Sequence, residues 1–247
     1  MTKQNTTNSG LFGKIEKIIR VIPHIYIIFR HLVRFTNYFE EDFFYLKKIF
    51  KNKKINIIDV GASDGISAQF FLRNLNCNKI FCYEPQKVFF LKLLRLKKLF
   101  NNIIPFNYGL AKKNYKMEIF YPFVSFFGFK VFLLTYSFAV KKELQDQINL
   151  DFFIKPNIER SKILVKKYIP VKDKINLIKI DTNGSEFEVI DTLLKLIKRD
   201  KPILIIENNN ISTIYKKLKK FGYKKYYVIN DNLKKHTHQD SANIIFK

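Results

Sequence analysis

From Ile55 onward, short apolar runs alternate with amphipathic segments, the pattern of a parallel sheet wrapped by helices. Ile55 to Val60 reads as a buried strand, Ile66 to Leu75 as a helix, Lys79 to Glu84 as a second strand, Gln86 to Phe100 as a helix and Ile103 to Tyr108 as a third strand. Lys116 to Phe120 adds a further short strand. The stretch from Tyr121 to Pro170 has no clean period, and helices are expected in it at Val140 to Ile148 and Ile158 to Lys166. Regularity returns with a strand at Asn176 to Asp181, a helix at Glu186 to Lys198, a strand at Ile203 to Glu207 and a helix at Ile211 to Phe221, closed by Gly222. Tyr226 to Ile229 and Ala242 to Phe246 read as the last two strands, joined through the polar segment Asn230 to Ser241.

Before this core, Leu11, Ile15, Ile18, Ile19 and Ile22 recur at helical spacing up to Pro23, a second apolar run reaches Phe35, and Phe39, Phe43, Leu46 and Phe50 continue the period. The pattern predicts an α/β, Rossmann-like fold: a mostly parallel seven-stranded sheet with helices on both faces, preceded by a helical extension. Residues 1–52 form the extension and 53–247 the α/β domain, with 121–170 an insertion placed to bind an acceptor.

Composition narrows the partners. A net charge of +24 suits a polyanion, but of 45 basic residues only seven are Arg, the side chain suited to bidentate phosphate and base recognition. A nucleic-acid role is therefore disfavoured. Cys77 and Cys82 are the only cysteines and make no disulfide framework. Met1 to Gly10 lacks the charged-then-apolar pattern of a signal peptide, so a cytoplasmic protein is expected. Ile18 to Phe35 is broken by Arg20, His24, Arg30, His31 and Arg34, and Ile119 to Val140 by Pro122, Gly128 and Lys130, so neither reads as a membrane span. The basic N-terminal helices instead offer a peripheral contact with the inner membrane face through Arg20, Arg30 and Arg34.

The candidate chemistry begins at Ile57-Ile58-Asp59-Val60-Gly61-Ala62-Ser63-Asp64-Gly65, a strand entering a glycine-bearing turn and then a helix. Such a turn lets a ligand approach the backbone. Neither the dinucleotide pattern G-x-G-x-x-G nor the P-loop is present. Asp59 and Asp64 would repel a pyrophosphate, whereas S-adenosylmethionine (SAM) carries a sulfonium and an ammonium and no phosphate. Glu84 closes the second strand at the spacing where an acid accepts hydrogen bonds from ribose hydroxyls, and Pro85 follows it. Asn107, Tyr108 and Gly109 end the third strand, where an adenine ring would find a polar contact and a packing surface. Asp181 ends the fourth strand and Glu207-Asn208 the fifth; these three offer oxygen ligands for Mg²⁺, and His236 with His238 is a weaker metal pair.

The stretches I-N-I-I-D-V-G-A-S-D-G, Y-E-P, N-L-I-K-I-D-T-N-G-S-E-F-E-V-I, K-P-I-L-I-I-E-N-N and A-N-I-I-F resemble, in this order, the FkbM family of SAM-dependent methyltransferases, over about Ile55 to Lys247. The resemblance implies a class I methyltransferase fold. By position it implies that Asp59, Gly61, Ser63, Asp64 and Gly65 form the SAM loop, that Glu84 holds the ribose, and that Asp181 and Glu186 border the reaction centre. Members of the family mostly O-methylate sugar or natural-product hydroxyls, many in surface-polysaccharide synthesis, so a glycan or other hydroxyl-bearing acceptor is implied. Two departures stand out. Asp181-Thr182-Asn183-Gly184 replaces the frequent D-x-E-G, putting an amide where the family has an acid, and Lys166 to Val171 occupies the place of a frequent Leu-Asp pair. Asp181, then Glu186, is the candidate to orient or deprotonate the acceptor. The aromatics Tyr121, Phe123, Phe126, Phe127, Phe129 and Tyr136 pack the insertion or stack on sugar rings.

Overall fold

Leu177-Ile178-Lys179-Ile180 and Ile55 to Val60 bury nearly every side chain, which requires strands covered on both faces. They lie side by side at the centre of the sheet. The structure is a computed structural model that describes residues 22–33, 39, 41–133, 137–208, 211–229, 232–235 and 243–247. In chain order the elements are α1 (Pro23–Val33), α2 (Glu41–Ile49), β1 (Ile55–Val60), α3 (Ile66–Asn74), β2 (Cys77–Tyr83), α4 (Lys87–Leu99), β3 (Ile103–Phe106), β4 (Gly109–Leu110), β5 (Tyr115–Phe126) and β6 (Phe129–Phe132). They continue with α5 (Lys141–Asp151), β7 (Asn157–Lys166), β8 (Leu177–Ile180), α6 (Glu186–Asp200), β9 (Ile203–Glu207), α7 (Ile211–Lys219), β10 (Lys225–Ile229), β11 (Asn232–Lys235) and β12 (Asn243–Phe246).

The main sheet runs β11-β10-β12-β9-β8-β1-β2-β3. The pairings β9-β8, β8-β1, β1-β2 and β2-β3 are parallel, and β12 and β10 close the edge antiparallel. From β1 the chain winds outward to β2 and β3, then returns to β8 on the other side and winds outward to β9. The strand order therefore reverses between β1 and β8, the switch point at which open α/β sheets bind ligands beyond the carboxyl ends of their strands.

Three expectations change. The sheet has eight strands, not seven, because Asn232–Lys235 pairs with β10 inside what reads as a polar connection. Its lysines suit an exposed edge, and only Leu233 packs inward, so no apolar alternation announces it. Residues 158–166 are strand, not helix: Ile163 and Val165 are buried at the period of two that a pleat demands. The strand expected to stop at Phe120 runs to Phe126, because Pro122 keeps its carbonyl in the ladder by accepting the Leu133 amide. β7 and β5 join β4 and β6 in a second sheet of order β4-β7-β5-β6.

The chain divides into two compact units. The first, Phe39–Tyr115 with Leu164–Lys247, contains the main sheet. On one face α6 buries Val189, Ile190, Leu193, Leu196 and Ile197 against Ile178, Ile180, Leu204 and Ile206. On the other, Phe43, Leu46 and Phe50 of the α2 segment pack with Phe70 and Phe71, and the Phe43 and Phe71 rings stack at 5.6 Å. The second unit, Thr7–Tyr38 with Lys116–Ile163, has its own small core of Tyr26, Leu133, Leu144, Ile148 and Phe152. Leu11, Ile15, Ile18, Ile19, Arg20, Arg34, Tyr136, His236 and His238 lie outside the described residues. No described helix is long and apolar enough to cross a membrane.

Leu193 is fully buried whereas Leu99 is 77% exposed. Leu193→Ala is expected to cost about 2–5 kcal/mol in urea denaturation, through lost transfer energy and a residual cavity, and Leu99→Ala close to nothing.

Candidate functional site

The turn after β1 is fixed by the neighbouring strand ends. The Gly61 and Ala62 amides both donate to the Tyr83 carbonyl, and the Gly65 amide donates to the Ala62 carbonyl. Gly61 has φ +74, and a Cβ there would sit 1.8 Å from the Asp181 carbonyl oxygen. Gly65 has φ +85 and abuts the Leu93 and Leu96 side chains of α4. Both glycines are thus required by contacts within the chain. The backbone that Gly61 lets approach is the end of β8.

Glu84 stands across from this turn, buried. Its Oε2 accepts the Ser63 amide at 2.8 Å and its Oε1 the Gln86 amide at 2.8 Å. Burial pushes its carboxyl up to about 7 despite those two amides and the nearby Lys179. Each carboxylate oxygen accepts one backbone amide and retains capacity for a further donor. The Asn107 side-chain amide donates to the carbonyls of Glu84, at 3.0 Å, and Pro85, at 3.2 Å. The ends of β2 and β3 are thereby tied together, with the Pro85 ring 3.7 Å from where a Cβ on Gly109 would stand. Tyr108 packs edge-on to Tyr83, with its ring centre 5.6 Å away, and carries the Lys166 ammonium over its face. Asp64 is buried in the same turn. The structure brings Asp59, Gly61, Ser63, Asp64, Gly65, Glu84, Pro85, Asn107, Tyr108 and Gly109 to one edge of the sheet.

At the switch point lies a residue that the motifs did not single out. Lys179, buried in β8, places its ammonium 3.5 Å from Asp59 Oδ1, 3.3 Å from Asp181 Oδ2 and 3.0 Å from the Gly61 carbonyl. Desolvation would lower its pKa, but Asp181 and Asp59 outweigh it and hold the ammonium above its ordinary value. Burial pushes the Asp59 carboxyl up, opposed by Lys179 and by the Ser67 hydroxyl, which donates to Asp59 Oδ2 at 2.6 Å. Asp59 is fully buried and contacts Lys179 and, through Ser67, the head of α3. A signal for Lys179 did exist: one cation in an otherwise apolar strand needs partners, and Asp59 on β1 is its direct neighbour in register.

Asp181 and Glu186 are placed differently from each other. The Asp181 side chain is 43% exposed at the sheet edge. Glu186 is buried, and its Oε1 accepts the Thr182 amide, the Thr182 hydroxyl and the Gly184 amide, each at 3.0 Å. It holds the turn in which Asn183 (φ 51) and Gly184 (φ 109) both adopt left-handed backbone. Asn tolerates that conformation better than most residues, which gives the departure at 183 a backbone reason. Glu207 lies beyond Asp181 on β9, its carboxyl raised by burial and by the negative charge of Asp181 and Glu186. Among the described residues no three His, Cys, Asp or Glu side chains converge as a metal set.

Removing one member of a buried ion pair strands the other. Lys179→Met is expected to cost about 3–5 kcal/mol in urea denaturation, and adding Asp59→Asn should recover a large part of that loss. Additive losses would show that the pair is not coupled.

The Methyltransferase FkbM domain matches residues 59–225. No curated protein matches the sequence. Among solved structures, a methyltransferase FkbM from Methylobacillus flagellatus superposes with a TM-score of 0.50 at 15% identity, over 78% of this chain and 43% of that one. The chain therefore spans less than half of that protein's length. A putative methyltransferase from Streptococcus mutans, solved in complex with SAH, gives a TM-score of 0.42 at 11% identity, over 83% of this chain and 93% of that one. The matched span is more than half of the chain and holds the β1 turn, Glu84, Lys179 and Asp181, and by that match the chain belongs to the FkbM methyltransferase family.

Proposed function

We propose that the protein transfers a methyl group from SAM to a hydroxyl of a sugar, a surface-polysaccharide precursor or a glycolipid. The observation that carries this reading is the buried Glu84 carboxylate at the end of β2, fixed by two backbone amides beside a turn that holds Asp59 and Asp64. The residues present fit the donor. SAM is cationic and has no phosphate, Asp59 and Asp64 lie at the turn, and the Lys179 ammonium beside them is taken up by carboxylates and a carbonyl.

In this reading Glu84 accepts the ribose hydroxyls, and Asn107 keeps the Glu84-Pro85 backbone in place for it. Tyr108, with the Lys166 ammonium over one face of its ring, stands beside the adenine position. SAM provides a methyl group already activated on a sulfonium, so positioning the acceptor oxygen in line is the main task left to the protein. Asp181 is the carboxylate at the switch point with an exposed side chain, and it orients the acceptor hydroxyl or takes its proton. Lys179 fixes Asp181 through Oδ2. Glu186, committed to the 182–184 turn, acts on the site through that turn's shape.

A binding protein without catalysis would fit the amide at Asn183. The retained Asp181, anchored on Lys179, favours the enzyme. Transfer of labelled methyl from SAM into an extract of surface-polysaccharide precursors is expected, with Asp181→Asn at least about 100-fold slower, the size of a general-base contribution, and SAM affinity unchanged. Wild type that binds SAM and labels no hydroxyl-bearing fraction would sink the enzymatic reading.

The raised Glu84 carboxyl adds a pH signature. Between the usual carboxylate value and about 7 the folded chain keeps a proton that the unfolded chain gives up, so Glu84 lowers stability as pH rises through that window. SAM favours the ionised form as a charge-assisted acceptor, so affinity should rise from pH 5.5 to 8 and then level off. Calorimetry on Glu84→Gln should show that this rise is gone.

A further inference from the structure

The amino edge of the main sheet holds a cavity of about 700 Å³, lined by the end of α2, the approach to β8 and the connection from α6 to β9. That volume is in the range of about 300–1,000 Å³ found for small-molecule sites. The cavity is separate from the site at the carboxyl edge. Lys174, Ile175 and Asn176 lead into β8 whereas Asp181 follows it, and the strand between them, rising about 3.3 Å per residue, spans about 13 Å.

The polar groups that line the cavity are mostly donors. Lys48, Lys53, Lys174 and Lys201 stand around it, and Asp200 is the acid among them. Asp200 is already engaged. Its Oδ1 accepts Arg199 Nε at 2.6 Å, and its Oδ2 accepts Arg199 Nη2 and the Ile175 amide, each at 2.8 Å. The neighbouring acid, Asp173, is bound by Lys79. Lys48 lies in the last turn of α2, and Lys201 caps α6 and donates to the Phe221 carbonyl, so helix ends account for these two cations. Lys53 and Lys174 have no such explanation. Neither makes an ion pair among the described residues, and Lys174 acts on Asp200 only at longer range.

Asn176 adds a directed donor. Its Oδ1 accepts the Asn56 amide at 2.9 Å, its backbone amide donates to the Asn56 carbonyl, and its carbonyl accepts the Ile203 amide. The Asn56 amide fixes which end of the side chain is oxygen, and the side-chain NH₂ is left with no acceptor among the described residues. Beside these donors the half-buried Tyr45, Ile49 and Ile203 give the cavity an apolar wall.

We propose that this cavity binds a small phosphate monoester carried on a ring, with the phosphate among Lys53, Lys174 and the Asn176 side chain and the ring against Tyr45 and Ile49. A phosphate monoester brings a charge of about −1.5 to −2 and three acceptor oxygens, which meets two ammonium groups and one amide. A carboxylate, with a single charge, would leave one ammonium unmet. The apolar wall and the volume favour a ring-bearing molecule over inorganic phosphate.

Isothermal titration of the full-length protein at physiological ionic strength, with uridine monophosphate and with glucose 1-phosphate, tests this. Saturable binding of one or both is expected, and none of uridine or glucose; which ester binds tells a nucleotide from a sugar phosphate. Lys53→Ala/Lys174→Ala should bind at least about tenfold more weakly, from the loss of charge-assisted contacts. Asn176→Asp keeps an acceptor for Asn56 and puts a negative charge in place of the donor, so it should bind more weakly as well. Lys98→Ala/Lys113→Ala removes the same charge from exposed positions outside the cavity and should bind like wild type, which separates a site from the general pull of a +24 chain. Wild type that binds neither ester, a Lys53/Lys174 variant that binds as well as wild type, or an equal loss in the Lys98/Lys113 variant would each overturn the proposal. Binding of a single-stranded oligonucleotide but of neither ester would overturn it in favour of nucleic acid.

Discussion

The site depends on one buried ammonium. Lys179 sits where the strand order reverses, between the Asp59 and Asp181 carboxylates and the Gly61 carbonyl. Asp59 belongs to β1, Asp181 follows β8 and Gly61 opens the turn, so a single cation ties together the three places from which a ligand site is built. Taking an ammonium and a carboxylate out of water costs several kcal/mol per ion, and the arrangement is tolerable only because each has a partner in place. The absent Cβ at Gly61 completes it, because any side chain there would strike the Asp181 carbonyl. The pairing of Lys179 with Asp59 and Asp181 and the close approach of Gly61 to the end of β8 are thus parts of one local solution to burying charge.

Much of the main sheet was legible because its central strands are short, apolar and separated by amphipathic helices. Ile55 to Val60 and Ile203 to Glu207 have the same bounds in sequence and in structure. The edges were harder. Asn232–Lys235 is polar because an edge strand satisfies only one side of its backbone and faces water, so periodicity cannot reveal it. Ile158 to Lys166 carries charges between its apolar residues that mimic a helical face, and only its partners in the second sheet settle its state. Tertiary pairing overrode local propensity there.

Within the site, motif positions were legible but roles were not. The glycines at 61 and 65 stand out in the sequence, yet what they make room for is the chain itself, at Asp181 and at Leu93 and Leu96. Glu186 looks like a second catalytic acid, yet three hydrogen bonds commit its Oε1 to the turn that holds Asn183. Lys179 passed as part of a strand because a charge within an apolar run reveals its partners only once neighbouring strands are aligned. A carboxylate's identity can be read from sequence, whereas what its oxygens already accept depends on the fold.

If the turn after β1 and Glu84 together form a SAM site, the protein binds SAM and loses that binding when Glu84 is reversed in charge. Isothermal titration of the wild-type protein with SAM at pH 8, alongside Glu84→Arg, tests it most directly. Saturable heat for one equivalent of SAM is expected in the wild type and none in the variant, with both proteins folded by circular dichroism. No heat from folded wild type at saturating SAM, or the same affinity in Glu84→Arg, would contradict it.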